Sequence, residues 1–395
     1  MVAANQSPTI APETLTGLPK KYKEVHVFWL AGMSCDGCTI AVSGATNPPL
    51  EDLMLGSVPG IPKLIVHHPV LAVEAGHGFT DWFYKAWRGE LDAPYVVILE
   101  GSIADERLAS STGGYWSGFG AEAPEGAEGD PWAEQPVPTA EWVNRLAPGA
   151  AASIAIGTCA TWGGIPAATG NVTGSMGLAD FLGADYRGTL GLPVINIPGC
   201  SPIGDNFNET VAVILMFLQG VGPLPEFDEL GRPAWLFGET VHRGCNRAGY
   251  YEEGTFAENY GDPECLVEIG CWGPVVQCNM VSRGAINGLG GCMNSGGICI
   301  GCTMPGFPDK FSPFYKAPPG SAFSGTLTRI VGSFIRPLRR MTQKARNRTL
   351  QWSGKDVPSG WAKVDNQNPV DHANGFFYEK LQFLGGTKPG SRKEK

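Results

Sequence analysis

The sequence predicts an α/β chain: a doubly wound parallel sheet in the first half, followed by a loop-rich, cysteine-bearing segment and a basic carboxyl-terminal extension. Three observations predict it. Short β-branched runs bounded by Gly or Pro alternate with helical stretches up to about Gly222. Cys, Gly, Pro and Trp then dominate to about Pro318, and from about Ser321 the composition is basic and lacks cysteine. In order, Glu24 to Leu30, Lys63 to His67, Tyr95 to Leu99, Ser153 to Ile156 and Val194 to Ile197 read as strands buried on both faces. Helices are expected from Thr39 through Gly44 onward and over Thr80 to Arg88, Thr139 to Leu146 and Asn206 to Leu218. Ser102 to Val137, rich in Gly, Glu and Pro, reads as a surface insertion. The boundaries give an amino-terminal segment (1–23), a sheet domain (24–221), a cysteine-rich domain (222–320) and the extension (321–395).

Hydrophobic residues make up 43% of the 395 and charged residues 17%, with 55 Gly and 32 Pro, which places the chain among loop-rich globular proteins rather than disordered ones. The longest apolar run, Val211 to Leu218, is far short of the roughly 20 residues needed to cross a bilayer, so no transmembrane anchor is expected. The first 23 residues lack the apolar stretch of a secretory signal, and a cytoplasmic address is the expectation, with any membrane association made peripherally through partners. Net charge is -9, but from Arg329 onward 14 Lys and Arg face 5 Asp and Glu, leaving -18 on the first 328 residues. An acidic body argues against a nucleic-acid enzyme. The basic tail is better read as an arm on an acidic neighbour or on the chain's own body.

Eleven cysteines are poorly explained as disulfides in a reducing compartment, and an odd number cannot pair completely within one chain. Metal or redox chemistry is the leading explanation. Cys35 and Cys38 follow the first strand, Cys159 the fourth and Cys200 the fifth. In an open parallel sheet the carboxyl ends of strands share one rim, so these four can converge there as thiolate ligands of a 4Fe-4S cluster or of zinc. The bland alternative, four unrelated buried cysteines, does not explain their equivalent loop positions. The second half adds His242 and Cys245 as His-x-x-Cys, then Cys265, Cys271, Cys278, Cys292 and the pair Cys299 and Cys302: eight donors in sixty-one residues. A segment so poor in aliphatic residues gains order from bound metal. Zinc suits tetrahedral thiolate and imidazole sites too, but three such sites exceed what stapling needs, and a chain of redox centres explains the number better.

These residues resemble the small subunit of nickel-iron hydrogenases from about Val25 to Phe314. The elements stand in the family's order: Cys-x-x-Cys after strand one, LEGSI at Leu99 to Ile103, GTCATWGGI, PGCSP, His-x-x-Cys, the Cys265/Cys271 pair and CIGCTMPGF. The resemblance implies a flavodoxin-like amino-terminal domain, a cluster domain and a relay of three iron-sulfur clusters. It assigns Cys38, Cys159 and Cys200, with Cys35 or a neighbour, to a proximal 4Fe-4S cluster. His242, Cys245, Cys265 and Cys271 match a distal 4Fe-4S cluster; Cys278, Cys299 and Cys302 match a medial cluster, commonly 3Fe-4S.

Two positions depart from the common pattern. Cys292 lies near a position where many members have proline, so a fourth thiolate is available for a medial 4Fe-4S cluster. Asp36 lies within the first Cys-x-x-Cys, and the actinobacterial-type, oxygen-insensitive branch replaces one proximal cysteine by aspartate; the competing reading is an Asp that caps the following helix. The resemblance also implies that the nickel-iron site belongs to a large-subunit partner and that this chain passes electrons singly to an external acceptor. It further suggests a dimer of heterodimers, with the basic extension lying across the partner or a second copy.

Glu100, at the end of strand three, is a candidate neighbour of the proximal ligands or an ordinary loop carboxylate. His67, His68 and His77 fit packing or solvent-facing roles better than ligation, and Trp82, Phe83, Tyr84 and Trp87 read as core or interface. MSCDGC is not a Ser/Thr-rich phosphate cradle, which counts against flavin. Two other functions compete: a cluster-bearing subunit of a quinone reductase, against which the seven later cysteines argue, and a zinc-stapled scaffold.

Overall fold

The computed structural model describes residues 22–110, 115–120, 129–132 and 135–314; the extension expected from 321, and all but two residues of the amino-terminal segment, lie outside them. Strands and helices alternate. β1 (Glu24–Ala31) leads to α1 (Gly37–Ser43) and α2 (Leu50–Leu55), and β2 (Lys63–His67) to α3 (His77–Arg88). β3 (Tyr95–Glu100) is followed by α4 (Glu106–Ser110) and a short antiparallel pair, β4 (Gly118–Phe119) with β5 (Val137–Pro138). Then come α5 (Thr139–Leu146), β6 (Ala152–Ile156), α6 (Gly157–Trp162), α7 (Leu178–Leu182), β7 (Ile195–Ile197) and α8 (Gly204–Leu218).

The central sheet is wholly parallel in the order β2-β1-β3-β6-β7. Taken as five strands this is the 2-1-3-4-5 order of flavodoxin-like folds, whose ligand crevice opens where β1 and β3 send their connections to opposite faces. Side chains alternate between those faces. Phe28, Leu30, Val97 and Leu99 pack with Phe83, Tyr84, Trp142 and Leu146 of α3 and α5. Val27, Trp29, Ile98, Ile154 and Ile156 pack with Phe207, Val211 and Leu215 of α8. Each such side chain contributes about 1.5–3 kcal/mol by leaving water, and the two apolar layers fix the strand ends that carry the cysteines.

His26 and His67 serve packing. His26 Nδ1 and His67 Nε2 share a hydrogen bond of 2.8 Å between stacked rings, with Trp82 of α3 beside them. Burial pushes the His67 pKa down to about 4, with His26 adding to the shift. Ser102 to Val137 departs from the reading of a surface insertion. Ser102, Ile103, Ala104 and Val137 are buried, and Phe119 and Trp132 pack on the first core. Asp130 holds Arg145 of α5 with two 2.8 Å contacts between side chains each 4% exposed. A few anchors carry the burial, and the surrounding Gly, Glu and Pro hide them in the average composition.

After α8 the helices shorten to α9 (Ala234–Phe237), α10 (Val241–Gly244), α11 (Ala248–Glu253) and α12 (Met280–Arg283). Their core mixes Val241, Leu266, Met293, Ile298, Phe307 and Phe311 with the cysteines themselves. Among the described residues no helix is long and apolar enough to cross a membrane.

Candidate metal centres

All eleven cysteines are free thiols. The first group forms at the sheet's switch point. The chain leaves β1 through Cys35 and Asp36, and α1 begins at Gly37 with Cys38 and Thr39 in its first turn. The first N–H groups of a helix have no partner inside it. Asp36 stands at the N-cap with φ 59 but makes no side-chain capping bond. Glu100, at the end of the neighbouring β3, does so instead: Oε1 accepts the N–H of Cys38 at 3.1 Å and of Thr39 at 3.3 Å. Its Oε2 accepts Trp29 Nε1 at 3.0 Å and Thr39 Oγ1 at 2.5 Å.

Behind Thr39, His68 extends this network. Its Nδ1 accepts the N–H of Val70 at 3.0 Å, so the proton is on Nε2, which donates to Thr39 Oγ1 at 2.9 Å. Glu100 is 2% exposed, and its place as a neighbour of the first ligands is the one the structure supports.

Cys159 lies in α6, directly after β6, and Cys200 follows β7. Their loops are tied to each other, because Thr158 N donates to Gly199 O and Gly199 N to Thr158 Oγ1, both at 3.0 Å. Glycine makes the approach possible: a Cβ on Gly157, φ 82, would stand 2.4 Å from Cys38 Sγ. The four thiols sense one another. Burial pushes the Cys38 pKa far above its ordinary value, with the charges of Glu100, Cys159, Cys35 and Cys200 adding to it. Burial and then Cys200 push Cys159 up to about 11, and burial and then Cys35 raise Cys200. The charge of Asp36 acts on His68.

The second group gathers His242 of α10, Cys245 at its end, Cys265 and Cys271 around one small cavity. The His242 ring is buried and meets Tyr251 edge-on at 4.5 Å between centroids. Backbone N–H groups point at the sulfurs: Arg247 N to Cys245 Sγ at 3.4 Å, and Gly273 N and Cys299 N to Cys271 Sγ at 3.4 and 3.3 Å. Burial drives Cys265 to about 12 and Cys271 to about 11, opposed by these donors and by the Val267 N–H.

Cys278, Cys292, Cys299 and Cys302 form the third group. Burial pushes Cys278 up to about 11, and the charge of Cys292 adds to it. Cys302 is raised by burial and then by Cys278, with Cys292 and Cys200 contributing further. The charge of Cys292 also reaches Cys271 of the second group, so it lies between the second and third groups.

Neutral buried thiols bind iron only as they lose their protons, and the N–H donors aimed at them favour the thiolate so formed. The donor chemistry fits iron-sulfur clusters: twelve soft or imidazole donors in three groups of four, with a glycine where a sulfur must pass. Among the described residues no three His, Cys, Asp or Glu side chains converge tightly enough to clasp a single metal ion. Reading the sequence did not bring out Gly157, the Trp29–Thr39–His68 network, or Arg232 bonded to Gln277.

Residues 237–315 match the C-terminal family of the NiFe/NiFeSe hydrogenase small subunit, and residues 35–214 match the family described as NADH ubiquinone oxidoreductase, 20 Kd subunit. The chain is 31% identical over 310 residues to the periplasmic [NiFeSe] hydrogenase small subunit of Desulfomicrobium baculatum, covering 78% of this chain and 91% of that one. It is also 31% identical to the hydrogenase-2 small chain of Escherichia coli, covering 71% and 67%. Among solved structures, the actinobacterial-type NiFe-hydrogenase from Ralstonia eutropha H16 matches with 48% identity and a TM-score of 0.74, covering 90% of this chain and 100% of that one.

Proposed function

The chain belongs to the small-subunit family of nickel-iron hydrogenases and is the electron-transfer subunit of such an enzyme, and we propose that its three donor groups hold three iron-sulfur clusters in series. One observation carries the order. Thr158, next to Cys159 of the first group, donates its Oγ1 to Cys302 O of the third, and Cys299 of the third gives its N–H to Cys271 Sγ of the second. The groups thus run proximal, medial, distal, with a hydrogen bond between ligand loops at each junction. Trp162 Nε1, which donates to Thr303 O at 3.3 Å, also fastens the first junction.

In this reading Cys38, Cys159 and Cys200 hold the proximal 4Fe-4S cluster, and the Cys35–Asp36 turn supplies the fourth ligand, as thiolate or carboxylate. Glu100 does the capping that would otherwise occupy Asp36. Cys278, Cys292, Cys299 and Cys302 hold a medial 4Fe-4S cluster; His242, Cys245, Cys265 and Cys271 hold the distal one. Bound clusters supply one-electron chemistry. The neutral imidazole of His242 leaves the distal site less negative than four thiolates would, which favours accepting an electron there. The large subunit is the partner and holds the nickel-iron centre where hydrogen is oxidised, and electrons leave past His242 to an external acceptor.

The domain boundaries of this reading are 24–221 and 222–320. In this reading its address is cytoplasmic. It assembles as a dimer of heterodimers with residues 321–395 lying across the partner or a second copy.

Purification through a tag on this chain tests the reading. The expected product is a brown heterodimer with nickel on the partner, an absorption near 400 nm that bleaches with dithionite, and about 12 iron and 12 sulfide per small subunit. A colourless product with about three zinc ions, or one that brings no nickel-containing subunit, refutes it.

A further inference from the structure

A buried cation costs several kcal/mol to desolvate unless it is paired and fully hydrogen-bonded. Arg232 is 2% exposed and among the largest fully buried side chains of the molecule. It belongs to none of the donor groups. The turn from Asp228 to Arg232 builds its position: Asp228 Oδ1 accepts the N–H groups of Leu230 and Arg232, both at 2.9 Å, and Oδ2 accepts Arg232 Nε at 2.7 Å. The turn is moored to the end of the sheet, where Asn196 N donates to Gly231 O at 2.8 Å.

The other guanidinium nitrogens point away from the carboxylate. Nη2 donates to Gln277 Oε1, Nη1 reaches Met304 Sδ at 3.6 Å, and the Phe237 ring lies against the group at 5.2 Å. Gln277 precedes Cys278, and Met304 follows Cys302 by two residues. Thr303 Oγ1 also donates to Gln277 O at 2.8 Å, so the guanidinium spans two loops that already touch. With Met304 and Phe237 as neighbours, an apolar side chain would fill this space at less cost. The charge therefore needs a use. In the Asp228–Arg232 pair the carboxylate sits on the Nε side and the Nη groups face Gln277 and Met304, so the positive end is the one turned toward the loops that carry Cys278 and Cys302.

Resting on the assignment of Cys278, Cys292, Cys299 and Cys302 to one cluster, we propose that Arg232 is a positioning residue for the medial cluster: it locks the Cys278 and Cys302 loops together and turns positive charge toward their sulfurs, favouring the reduced state.

The test is a redox titration, followed by electron paramagnetic resonance, of the heterodimer as wild type, Arg232→Gln, Arg232→Lys and Asp228→Asn. A wild type without three titrating clusters sinks the ligand assignment itself. Given three, Arg232→Gln lowers the reduced-to-oxidised ratio of the medial cluster about tenfold at fixed potential, a shift of about 59 mV to the negative for one electron, with the other two clusters unmoved. Arg232→Lys restores at least half of the shift. Asp228→Asn uncovers the guanidinium and moves the medial midpoint the other way, which decides the matter even where Arg232→Gln fails to assemble. A medial midpoint that stays in place in Asp228→Asn, or a shift shared equally by all three clusters, overturns the proposal.

Discussion

Gly157 is the position where adding one carbon tests the proximal site most directly. Its Cβ in Gly157→Ala would lie 2.4 Å from Cys38 Sγ, with Gly199 O next nearest at 3.5 Å. Ordinary non-bonded contacts lie at about 3.5–4.0 Å, so the sulfur must retreat by more than about 1 Å. Metal ligands tolerate about 0.2 Å. Two energetic costs add: about 1–2 kcal/mol for placing an L side chain at a left-handed φ of 82, and about 1–3 kcal/mol for overpacking. A loss of about 2–5 kcal/mol leaves a chain of this size folded but shifts the site.

Gly60 supplies the control, because its φ is 79 and a Cβ there meets nothing within 4 Å. Gly60→Ala bears the backbone cost without touching a sulfur. Iron and sulfide assays with electron paramagnetic resonance on both heterodimers separate the two effects. Gly157→Ala is expected to lose about one third of its iron, with medial and distal signals intact; Gly60→Ala keeps all of it and melts a few degrees lower. A Gly157→Ala enzyme with full iron and an unchanged proximal signal would show that Cys38 is not held against this glycine as a ligand.

Other expectations follow from the same geometry. Cys292→Ser is expected to convert the medial cluster to a 3Fe-4S centre, removing about one iron per chain and adding a signal in the oxidised enzyme; unchanged iron would make Cys292 a bystander. Asp36→Asn and Cys35→Ser separate the two candidates for the fourth proximal ligand: the variant that loses the cluster or one of its irons carries the ligand, a shifted midpoint with full iron reports only the altered charge, and if neither loses iron, the turn supplies no ligand. His67 is held neutral in the fold, down to about 4 against an unfolded value of 6.5, so its contribution is fully present above 6.5 and is lost as pH falls toward 4. At pH 5 that loss is about 2 kcal/mol; His67→Gln should flatten the fall in melting temperature between pH 7 and 5, and an equally steep fall in the variant would contradict the assignment. Deleting the residues after Ser321 should break the dimer of heterodimers in native mass measurements, and intact assembly would count against a bridging role for the extension.

What the residues disclosed in advance was whatever is local. Strand runs such as Tyr95 to Leu99 declare themselves through β-branched composition and flanking turns, and a cysteine keeps its chemistry wherever the fold puts it. Partnerships across the fold are different in kind. Gly157 reads in the sequence as one glycine among 55, and only the adjacency of the loops after β1 and β6 sets it against Cys38. Arg232 reads as a lone basic residue, and its role depends on two loops 45 and 72 residues further on. The insertion misled for a related reason: Asp130 is a single acidic residue in an acidic stretch until Arg145 is found opposite it.

Asp36 shows how such a partnership changes a functional argument. Locally, an Asp directly before a helix is well explained as its cap. Because β3 lies beside β1 in the sheet, the Glu100 carboxylate reaches the α1 N-terminus from 62 and 61 residues away and takes the N–H groups of Cys38 and Thr39 that a cap would have taken. The capping explanation for Asp36 is thereby used up. Its carboxylate stands exposed on the rim beside Cys35, in a left-handed backbone conformation that an ordinary side chain adopts only at some cost. A cap would make Asp36→Asn nearly silent, since Asn caps about as well as Asp; a ligand would not, since an amide oxygen is a far poorer donor to iron than a carboxylate. Loss of iron from the proximal cluster in this variant therefore reports ligation, whereas a shifted midpoint with full iron reports only the lost charge.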